Sequence, residues 1–545
     1  MAKKLVTFGR DRFRTFIVLA FIAMFIFGFI LSGDYGPHYD EPSEIKILQM
    51  NIMEAAERFL SPDSELVYRL SDMGIKKISQ DSDRDHGIAA YYPFALRLLM
   101  GDVLSGSYEF SSVSLPFHYY TFVICFSGVL ALYFIVLELF RDRRAAFLSA
   151  LIFFVSPRFF AEMHYNNKDV VLLCLLLDSS LFGIRATKYR RIWDVLLFSA
   201  FSAIAANTKI IGLFFFSMIG LAYILYISLH RLWSGRSIAM ACLAIFSFLV
   251  LYYLLTPAMW TDPIGFFRHC LNNTFSFSRW SGKVVFEGRI YNVPLESLPG
   301  SYVPKLICLT TPVFILILAA AGAFMLVSGL LSALFRRERK LSDQLLFTSM
   351  LCLCSFVPVL LAVNNPPVIY NGWRHFYFAY GGVLILAAYS LASLPGKWGK
   401  ASLALTVFCL VFVSVQNMVN HPNQQTYYNI LAGSDVENSY ELDYWNVSTR
   451  EGLKLAAGLT DGDIVVSSYL SSDMGLQWGL LTLDDELRSR ISIVGPEELD
   501  RADYVIENTT YQLYSQDPGT PPGFKYLTGI YAYGNPIVNI YAPTE

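Results

Sequence analysis

The chain has 545 residues, of which 54% are hydrophobic and only 16% are charged. Its length alone would fit about three or four soluble domains. The positive mean hydropathy and the apolar runs that recur from residue 15 to about residue 418 exclude a wholly soluble protein and predict a polytopic membrane protein. Residues 420–545 hold 18 acidic and 6 basic residues, a net charge of −12, so the rest of the chain carries +10 of a total of −2. This distribution gives no support for nucleic-acid binding.

The first predicted element is a membrane-spanning helix over residues 15–32. These 18 residues contain no charge, and about this length is needed to cross the hydrocarbon core of a bilayer. Basic residues precede the run, as in a signal peptide, but no small-residue cleavage site follows it and further apolar runs do. We therefore expect this helix to be retained.

The apolar runs together predict about eleven membrane-spanning helices. They cover residues 15–32, 117–140, 145–163, 169–186, 194–210, 212–229, 237–256, 305–334, 345–363, 376–394 and 401–418. Basic clusters lie in the connections at 141–144, 187–191, 230–236 and 336–340, all on the side of the basic N-terminus. Because positive residues favour the cytoplasmic side, we expect a multi-pass protein of the cell's inner membrane with a cytoplasmic N-terminus and an extracytoplasmic tail.

Three connections are predicted to lie on the outer side. The first, residues 33–116, contains two amphipathic stretches, 43–60 and 87–101, that we expect to lie in the membrane interface. Loops over 257–304 and 364–375 follow.

The pattern changes after residue 419. Short β-rich runs (DIVVSSYL, ISIVG and ADYVIEN) and a helical stretch at 449–458 predict a small α/β domain. We therefore divide the chain into a membrane domain, 1–419, and an extracytoplasmic domain, 420–545.

Asp40 and Glu41 come just after the first predicted span. Asp-Glu-Pro-Ser favours turns and helix starts, so a solvated loop would explain the pair. Ionised groups beside hydrocarbon are costly, however, and tend to be kept for a function. The pair is therefore a candidate for chemistry at the membrane surface.

A second polar cluster, SPRFFAEMHYNNKDV at 156–170, lies on the same predicted side and ends where the fourth span begins. A polar hairpin with a capping Asp would explain part of it, but not so many ionisable groups beside lipid. The residues singled out are Arg158, His164, Lys168 and Asp169.

A third group is basic. Arg374 and His375 precede a span on the outer side, where positive charge is disfavoured, and Lys209 lies at the end of another. Aromatic residues of an interfacial belt would explain the neighbours of Arg374 but not the arginine itself. A guanidinium can bind a phosphate through two parallel hydrogen bonds, which gives Arg374 a function. Lys209 could instead extend its amine to the interface.

These elements resemble the GT-C glycosyltransferases, within them the branch of protein-O-mannosyltransferases and aminoarabinose transferases. The resemblance rests on an Asp-Glu motif after the first span, an acidic motif at the start of the fourth, and the pieces RFFAEMHYNNKD, YNGWRHFYF, HPNQQTYYN and ELDYWNVS. It implies a GT-C fold, an all-α polytopic body with about eleven spans and a small C-terminal α/β domain. Asn-Asn-Lys precedes Asp169 where close relatives are expected to have Asn-Pro-Lys.

The resemblance also implies a sugar transfer with inversion at the anomeric carbon. The donor is a sugar on a polyprenyl phosphate, a membrane lipid that enters from the outer leaflet, and the sequence does not identify the acceptor. Asp40 matches the motif of the catalytic base, Glu41 is its neighbour, and Asp169 matches the second acidic motif. Phosphate or substrate binding is assigned to Lys168, Arg374, His375, Lys209, His164 and Arg158. No cofactor is required, although Asp40, Glu41, His38 and His164 could form a divalent-metal site.

Two other functions remain open from the residues. A transporter or lipid-linked-sugar flippase would explain the spans and the polar groups beside lipid, but no inverted repeats with broken helices are evident. An assembly scaffold would explain the tail but not the acidic motifs.

Overall fold

The computed structural model describes residues 2–98, 103, 109–275, 280–336, 341–470, 473–515 and 519–544. Eight described helices are long and apolar enough to cross a membrane. Their bounds are Ala2–Leu31 (α1), Phe110–Phe140 (α5), Asp169–Tyr189 (α8), Ile211–Leu229 (α10), Gly235–Leu254 (α11), Val313–Phe335 (α14), Asp343–Asn364 (α15) and Gly396–Val419 (α17). Two shorter apolar helices, Ile192–Thr208 (α9) and Ala379–Ser393 (α16), pack among them. Each predicted span therefore coincides with a helix or a helix pair, and the mostly helical membrane body is confirmed. Of the about eleven spans predicted, eight described helices, or nine with the bent pair below, are long and apolar enough to cross a membrane.

Two predicted spans are broken. The run at 145–163 is a pair of helices, Arg143–Val155 (α6) and Pro157–Tyr165 (α7), bent by 69°. Pro157 lacks an N–H and disfavours a helical conformation at Ser156, whose ψ of 116° ends α6. The run at 305–334 is likewise divided at Pro312 into Tyr302–Thr310 (α13) and α14.

The long first loop is largely helical. Its elements are Glu41–Phe59 (α2), Glu65–Asp72 (α3) and Tyr92–Arg97 (α4). The predicted helix at 43–60 is thus confirmed, while the stretch at 87–101 is helical only in α4 and a preceding turn, and its end at 99–101 lies outside the described residues. Loop 257–304 contains Pro263–Phe275 (α12) and a hairpin of Gly282–Phe286 (β1) and Arg289–Val293 (β2) that the sequence reading missed.

The tail forms a mixed five-stranded sheet in the order β4-β3-β5-β7-β6. The strands are Ile464–Ser467 (β3), Ile491–Ile493 (β4), Tyr504–Asn508 (β5), Phe524–Ala532 (β6) and Asn535–Pro543 (β7). Its helices are Val436–Ser439 (α18), Thr449–Ala457 (α19), Asp473–Leu481 (α20), Asp485–Arg490 (α21) and Thr509–Leu513 (α22). The small α/β domain is confirmed, including the three predicted strands and the helix at 449–458.

The tail and the helical body share one core. Buried apolar residues of the sheet, such as Ile506 and Ile540, belong to the same continuous cluster as those of the spans. The connecting segment packs into the body, where Gln424 accepts a hydrogen bond from Tyr35 at 3.0 Å and Asn429 donates to the carbonyls of Cys308 and Thr311. The tail is therefore placed to contribute side chains to a site in the membrane body.

Candidate active site

Three helix ends, one turn and one irregular segment of the tail meet at one place in the molecule. They are the start of α2 with Asp40, the start of α8 with Lys168 and Asp169, the end of α9 with Lys209, and the turn before α16 with Arg374 and His375. The tail contributes the segment 441–446, where the carbonyl of Trp445 accepts a hydrogen bond from the amide of Tyr39 at 3.0 Å. We call the polar side chains gathered here the charged cluster.

The centre of the charged cluster is the ion pair of Asp40 and Arg374. Arg374 donates from one terminal nitrogen to Asp40 Oδ2 at 2.9 Å, and the two side chains are 11% and 40% exposed respectively. The guanidinium lies 4.5 Å from the ring centroid of Tyr370 and 4.3 Å from that of Trp445, so cation–π attraction fixes its plane. Its Nε has no partner among the described residues. Arg374 is thus held in place with donor capacity left over.

Two further ion pairs lie beside this one. Lys209 donates to Asp169, and Lys168 donates to Glu44 at 2.6 Å. The lysine side chains are 22% and 13% exposed, so solvent reaches part of each. Asn166 orders the residues just before α8, since its Oδ1 accepts from the amides of Lys168 at 3.3 Å and Asp169 at 2.8 Å in a local side-chain turn.

The charges of the cluster act on one another. Burial raises the pKa of Asp40, but the nearby Arg374 and His38 outweigh it and hold that pKa below its ordinary value. Water also reaches this carboxylate, which reduces the burial penalty. Burial lowers the pKa of His375, and the charges of Lys209, Arg374 and Lys168 lower it further. Asp40 is therefore an anion at neutral pH, and His375 is a neutral imidazole facing three cations.

Glu441 fixes the loop that carries Arg374. Its Oε1 accepts from Asn371 Nδ2 at 2.7 Å, from Tyr514 at 2.8 Å and from the amide of Val285 at 3.2 Å. Burial raises the pKa of this carboxyl to about 7 despite the three donors. The tail and the β1–β2 hairpin are thereby tied to the turn just before Arg374.

Glu41 points away from the charged cluster. It is fully buried and accepts from Ser114 Oγ at 2.5 Å and His118 Nε2 at 2.7 Å, both on α5. Burial raises the pKa of Glu41, but His118 outweighs it and the net pKa lies below the ordinary value. Glu41 therefore fixes the start of α2, one residue after Asp40, rather than facing Arg374.

Arg158 and His164, both on α7, also lie apart from the charged cluster. Arg158 is 2% exposed, donates to the Tyr444 hydroxyl at 3.4 Å and lies over the ring of Tyr428. His164 Nδ1 is 2.9 Å from Ser32 Oγ, and its ring stacks on those of Tyr35 and Phe122.

The residues suggested for a metal site are not brought together as ligands. Glu41 is held by α5 and His164 by Ser32, while His38 is 1% exposed, with neither ring nitrogen paired among the described residues and its edge on Trp445. In the part of the chain that the structure describes, no group of three or more His, Cys, Asp or Glu side chains is arranged to hold a metal ion.

Three residues that form or support the site were not predicted from the sequence. Glu44 lies four residues after Asp40, and this helical spacing places both on one face of α2, so the sequence did contain a signal. Trp445 lies within the ELDYW piece, but nothing in the sequence pairs it with Arg374. His118 sits inside an apolar span, where only its rarity is a signal.

Part of the chain is similar to a known protein family. Residues 108–260 match the family described as "Dolichyl-phosphate-mannose-protein mannosyltransferase". This segment runs from the start of α5 to the end of α11 and contains Lys168, Asp169 and Lys209. The match confirms the resemblance to the protein mannosyltransferase branch, and with it the glycosyltransferase class, over these residues. No curated protein matches the chain.

Solved structures show distant similarity over most of the chain. ArnT from Cupriavidus metallidurans bound to undecaprenyl phosphate is 13% identical, with 96% of this chain and 97% of that chain covered and a TM-score of 0.45. The archaeal oligosaccharyltransferase AglB from Archaeoglobus fulgidus, in complex with an inhibitory peptide and a dolichol-phosphate, is 10% identical, with 91% and 70% covered and a TM-score of 0.41. Arabinosyltransferase EmbB from Mycobacterium smegmatis is 14% identical, with 62% and 32% covered and a TM-score of 0.33.

Proposed function

We propose that this protein is an inverting membrane glycosyltransferase that moves a sugar from a polyprenyl-phosphate donor to an acceptor hydroxyl on the outer face of the membrane. The observation that carries the proposal is the charged cluster: a water-accessible carboxylate, Asp40, paired with a guanidinium and flanked by two lysines. The family match at residues 108–260, whose description names a lipid-phosphate sugar, supports the class of donor.

The chemistry is a single displacement. The acceptor oxygen attacks the anomeric carbon while its proton passes to the carboxylate of Asp40. The bond between the anomeric carbon and the phosphate oxygen breaks, and its electron pair leaves with the polyprenyl phosphate. Attack on the side opposite the leaving group inverts the anomeric centre. Arg374, Lys168 and Lys209 are the cations placed to stabilise the charge that develops on the leaving phosphate.

The ion pair gives donor binding a way to activate the base. While Arg374 is paired with Asp40, it lowers the pKa of that carboxylate and weakens it as a base. A donor phosphate competes for the same guanidinium, which can form two parallel hydrogen bonds with it. Asp40 then loses part of its counter-charge, its pKa rises, and it accepts a proton more readily. Base strength therefore increases when the donor is in place.

A transporter or flippase is the alternative. Its strongest support is Asp178, a buried carboxylate in the middle of α8 that accepts from Ser127 Oγ at 2.6 Å. Proton or ion pathways through a membrane use chains of such groups. Cys174 lies beside Asp178, however, and Asp40, Asp169 and Lys209 lie at helix ends rather than along the middle of the spans.

The direct test is incubation of the purified protein, in lipid nanodiscs, with polyprenyl-phosphate sugars, followed by detection of released polyprenyl phosphate. Transfer to an added acceptor extract, with release of lipid phosphate, supports the enzyme. If the labelled donor crosses the bilayer with its sugar still attached, the flippase is supported and the transferase is rejected.

The outer placement of the site needs a separate test. Leu295 is 90% exposed and follows the β1–β2 hairpin, on the same side as Arg374. In a background without the eight native cysteines, Leu295→Cys should react with an impermeant thiol reagent from outside the cell. Arg141→Cys, at the opposite end of α5, should react only after the membrane is opened. The reverse labelling pattern would place the charged cluster on the cytoplasmic side.

A further inference from the structure

A cavity of about 460 Å³ lies outside the charged cluster, on the other side of the start of α2. Its walls are the N-terminal turns of α5, the segment after the first span, and the connection from α20 to α21 in the tail. This volume is within the range of roughly 300–1,000 Å³ that small-molecule sites occupy. None of the residues assigned to the transfer reaction above lines it.

One of the most buried polar groups that line this cavity is the His118 imidazole. His118 is 1% exposed, and its Nε2 is 2.7 Å from the acceptor-only carboxylate of Glu41. Nε2 therefore carries a proton. Its Nδ1 has no partner among the described residues. A buried polar atom without a hydrogen-bond partner costs free energy. The unpaired Nδ1 therefore indicates a ligand that forms a hydrogen bond with it.

The lining disfavours an anion. Arg450 donates to the carbonyls of Gly33 at 3.0 Å and Thr482 at 3.1 Å, so only part of its donor capacity remains. Arg488 donates to Asp485 at 2.6 Å. With Glu109 and Asp484 also in the wall, carboxylates outnumber guanidiniums, and a phosphate would meet net repulsion.

The lining also disfavours a hydrocarbon chain and favours hydroxyl groups. Three leucines lie in the wall, but the hydroxyls of Ser111, Ser112 and Thr482 stand beside the carboxylates of its rim. A ligand hydroxyl can both donate and accept, so it can satisfy His118 Nδ1 in either protonation state and also bond to the carboxylates. A molecule with several hydroxyls matches this alternation of donors and acceptors.

We propose that this cavity binds an uncharged saccharide unit. Resting on the proposed function, we assign that unit to the acceptor, which makes the acceptor a glycan or glycolipid rather than a simple alcohol. His118 links the cavity to the site, because it holds Glu41 and Glu41 begins the helix that follows Asp40. Occupancy of the cavity therefore fixes the imidazole that positions the start of α2.

The test measures binding without any donor lipid. The protein is placed in nanodiscs free of glycoside detergent, and saturation-transfer NMR is recorded with methyl glucoside, methyl galactoside and inorganic phosphate as probes. Ser112→Trp fills the mouth of the cavity from α5. Ser489→Trp is the matched control, because Ser489 is exposed on α21 and does not line the cavity.

Saturation transfer to at least one glycoside, at least tenfold weaker affinity in Ser112→Trp and unchanged affinity in Ser489→Trp are expected. Absence of transfer to both glycosides, equal binding by Ser112→Trp, or preferential binding of phosphate would each overturn the proposal. Since no donor is present, failure here leaves the release of polyprenyl phosphate untouched. Conversely, glycoside binding without any transferase activity would keep the saccharide site and remove only its assignment to an acceptor.

Discussion

Two polar clusters in this protein are built from neighbouring residues of the same segments. Arg374 belongs to the charged cluster, and Tyr377, three residues later, bonds to Glu162 at 2.7 Å. In the tail, Trp445 covers Arg374 while the preceding Tyr444 lies 3.1 Å from the Tyr377 hydroxyl. We call the second group, Arg158, Glu162, Tyr377, Tyr428 and Tyr444, the sealed network.

The two clusters differ in exposure to solvent. Glu162 is fully buried, and both of its oxygens accept hydrogen bonds, from Tyr377 at 2.7 Å and Asn166 at 2.6 Å. Asp40, by contrast, is 40% exposed and its partner Arg374 is 11% exposed, whereas Arg158 is 2% exposed. Ionisable residues at a membrane surface thus serve two purposes, and access to a ligand distinguishes them. The sealed network joins the tail to α7, and the charged cluster is available for chemistry.

The largest expected effect separates the two clusters by chemistry. Asp40→Asn keeps the size of the side chain but removes the proton acceptor, and loss of a general base costs about 10²–10⁴-fold in rate. Turnover of a polyprenyl-phosphate sugar should fall by this amount while thermal unfolding changes little. Glu41→Gln should be milder and Asp169→Asn intermediate. Near-normal turnover by a folded Asp40→Asn protein would remove Asp40 from the chemistry and make Asp169 the stronger candidate.

The next effect should appear in stability alone. Tyr377→Phe keeps the ring but leaves Glu162 without one of its donors, and an unsatisfied buried group costs about 1–3 kcal/mol in the free energy of unfolding. We expect a lower unfolding temperature in nanodiscs with unchanged turnover per folded molecule. Stability equal to the unchanged protein together with impaired catalysis would mean that the two clusters have been assigned the wrong way round.

The pH dependence of the reaction should report the Asp40–Arg374 pair. Arg374 holds the pKa of Asp40 below its ordinary value, so kcat/KM should stay high until the pH falls through that lowered value. The pair's contribution to stability is likewise present above the unfolded pKa and lost on acidification through the folded one. In Arg374→Gln the charge is gone while burial remains, so the acidic limb of the profile should move to higher pH. An unmoved limb would show that a different group controls it.

The smallest effect concerns the ring that covers Arg374. Trp445→Phe weakens the cation–π contact, for which about 0.5–1 kcal/mol is typical at partly exposed sites. It removes no hydrogen bond, because the indole nitrogen has no partner among the described residues. Polyprenyl-phosphate binding, measured by isothermal titration, should weaken about two- to fivefold. A loss as large as that of an Arg374 variant would mean that Trp445 touches the lipid itself.

The helical body and the motifs were accessible to sequence reasoning because they depend on local patterns. Each apolar run of span length coincides with a helix or a helix pair, and Asp40, Asp169 and Arg374 stand out as charges beside lipid. Pro157 and Pro312 divide two predicted spans, as the missing proline N–H favours, but Pro358 lies inside the continuous helix α15. A proline alone therefore does not tell which span is broken.

Long-range pairing was not accessible in the same way. Asp40 and Arg374 are 334 positions apart, and no periodicity in either segment indicates that they meet. The sequence also does not show that Arg158 belongs to the sealed network and Arg374 to the charged cluster, because both are arginines beside aromatic residues on the same predicted side. The β1–β2 hairpin was missed because Glu287 and Gly288 form its turn with positive φ, a weaker signal than Asn-Gly.

The measurement that tests the charged cluster most directly is the affinity for polyprenyl phosphate itself. Arg374→Lys keeps the charge but loses the planar guanidinium, and Arg374→Ala loses both, whereas Tyr377→Phe alters a neighbour in the sealed network. Binding should weaken by about tenfold or more in Arg374→Lys, further in Arg374→Ala, and not at all in Tyr377→Phe. Unchanged affinity in both Arg374 variants would assign Arg374 to structure and contradict the phosphate-binding role of the charged cluster.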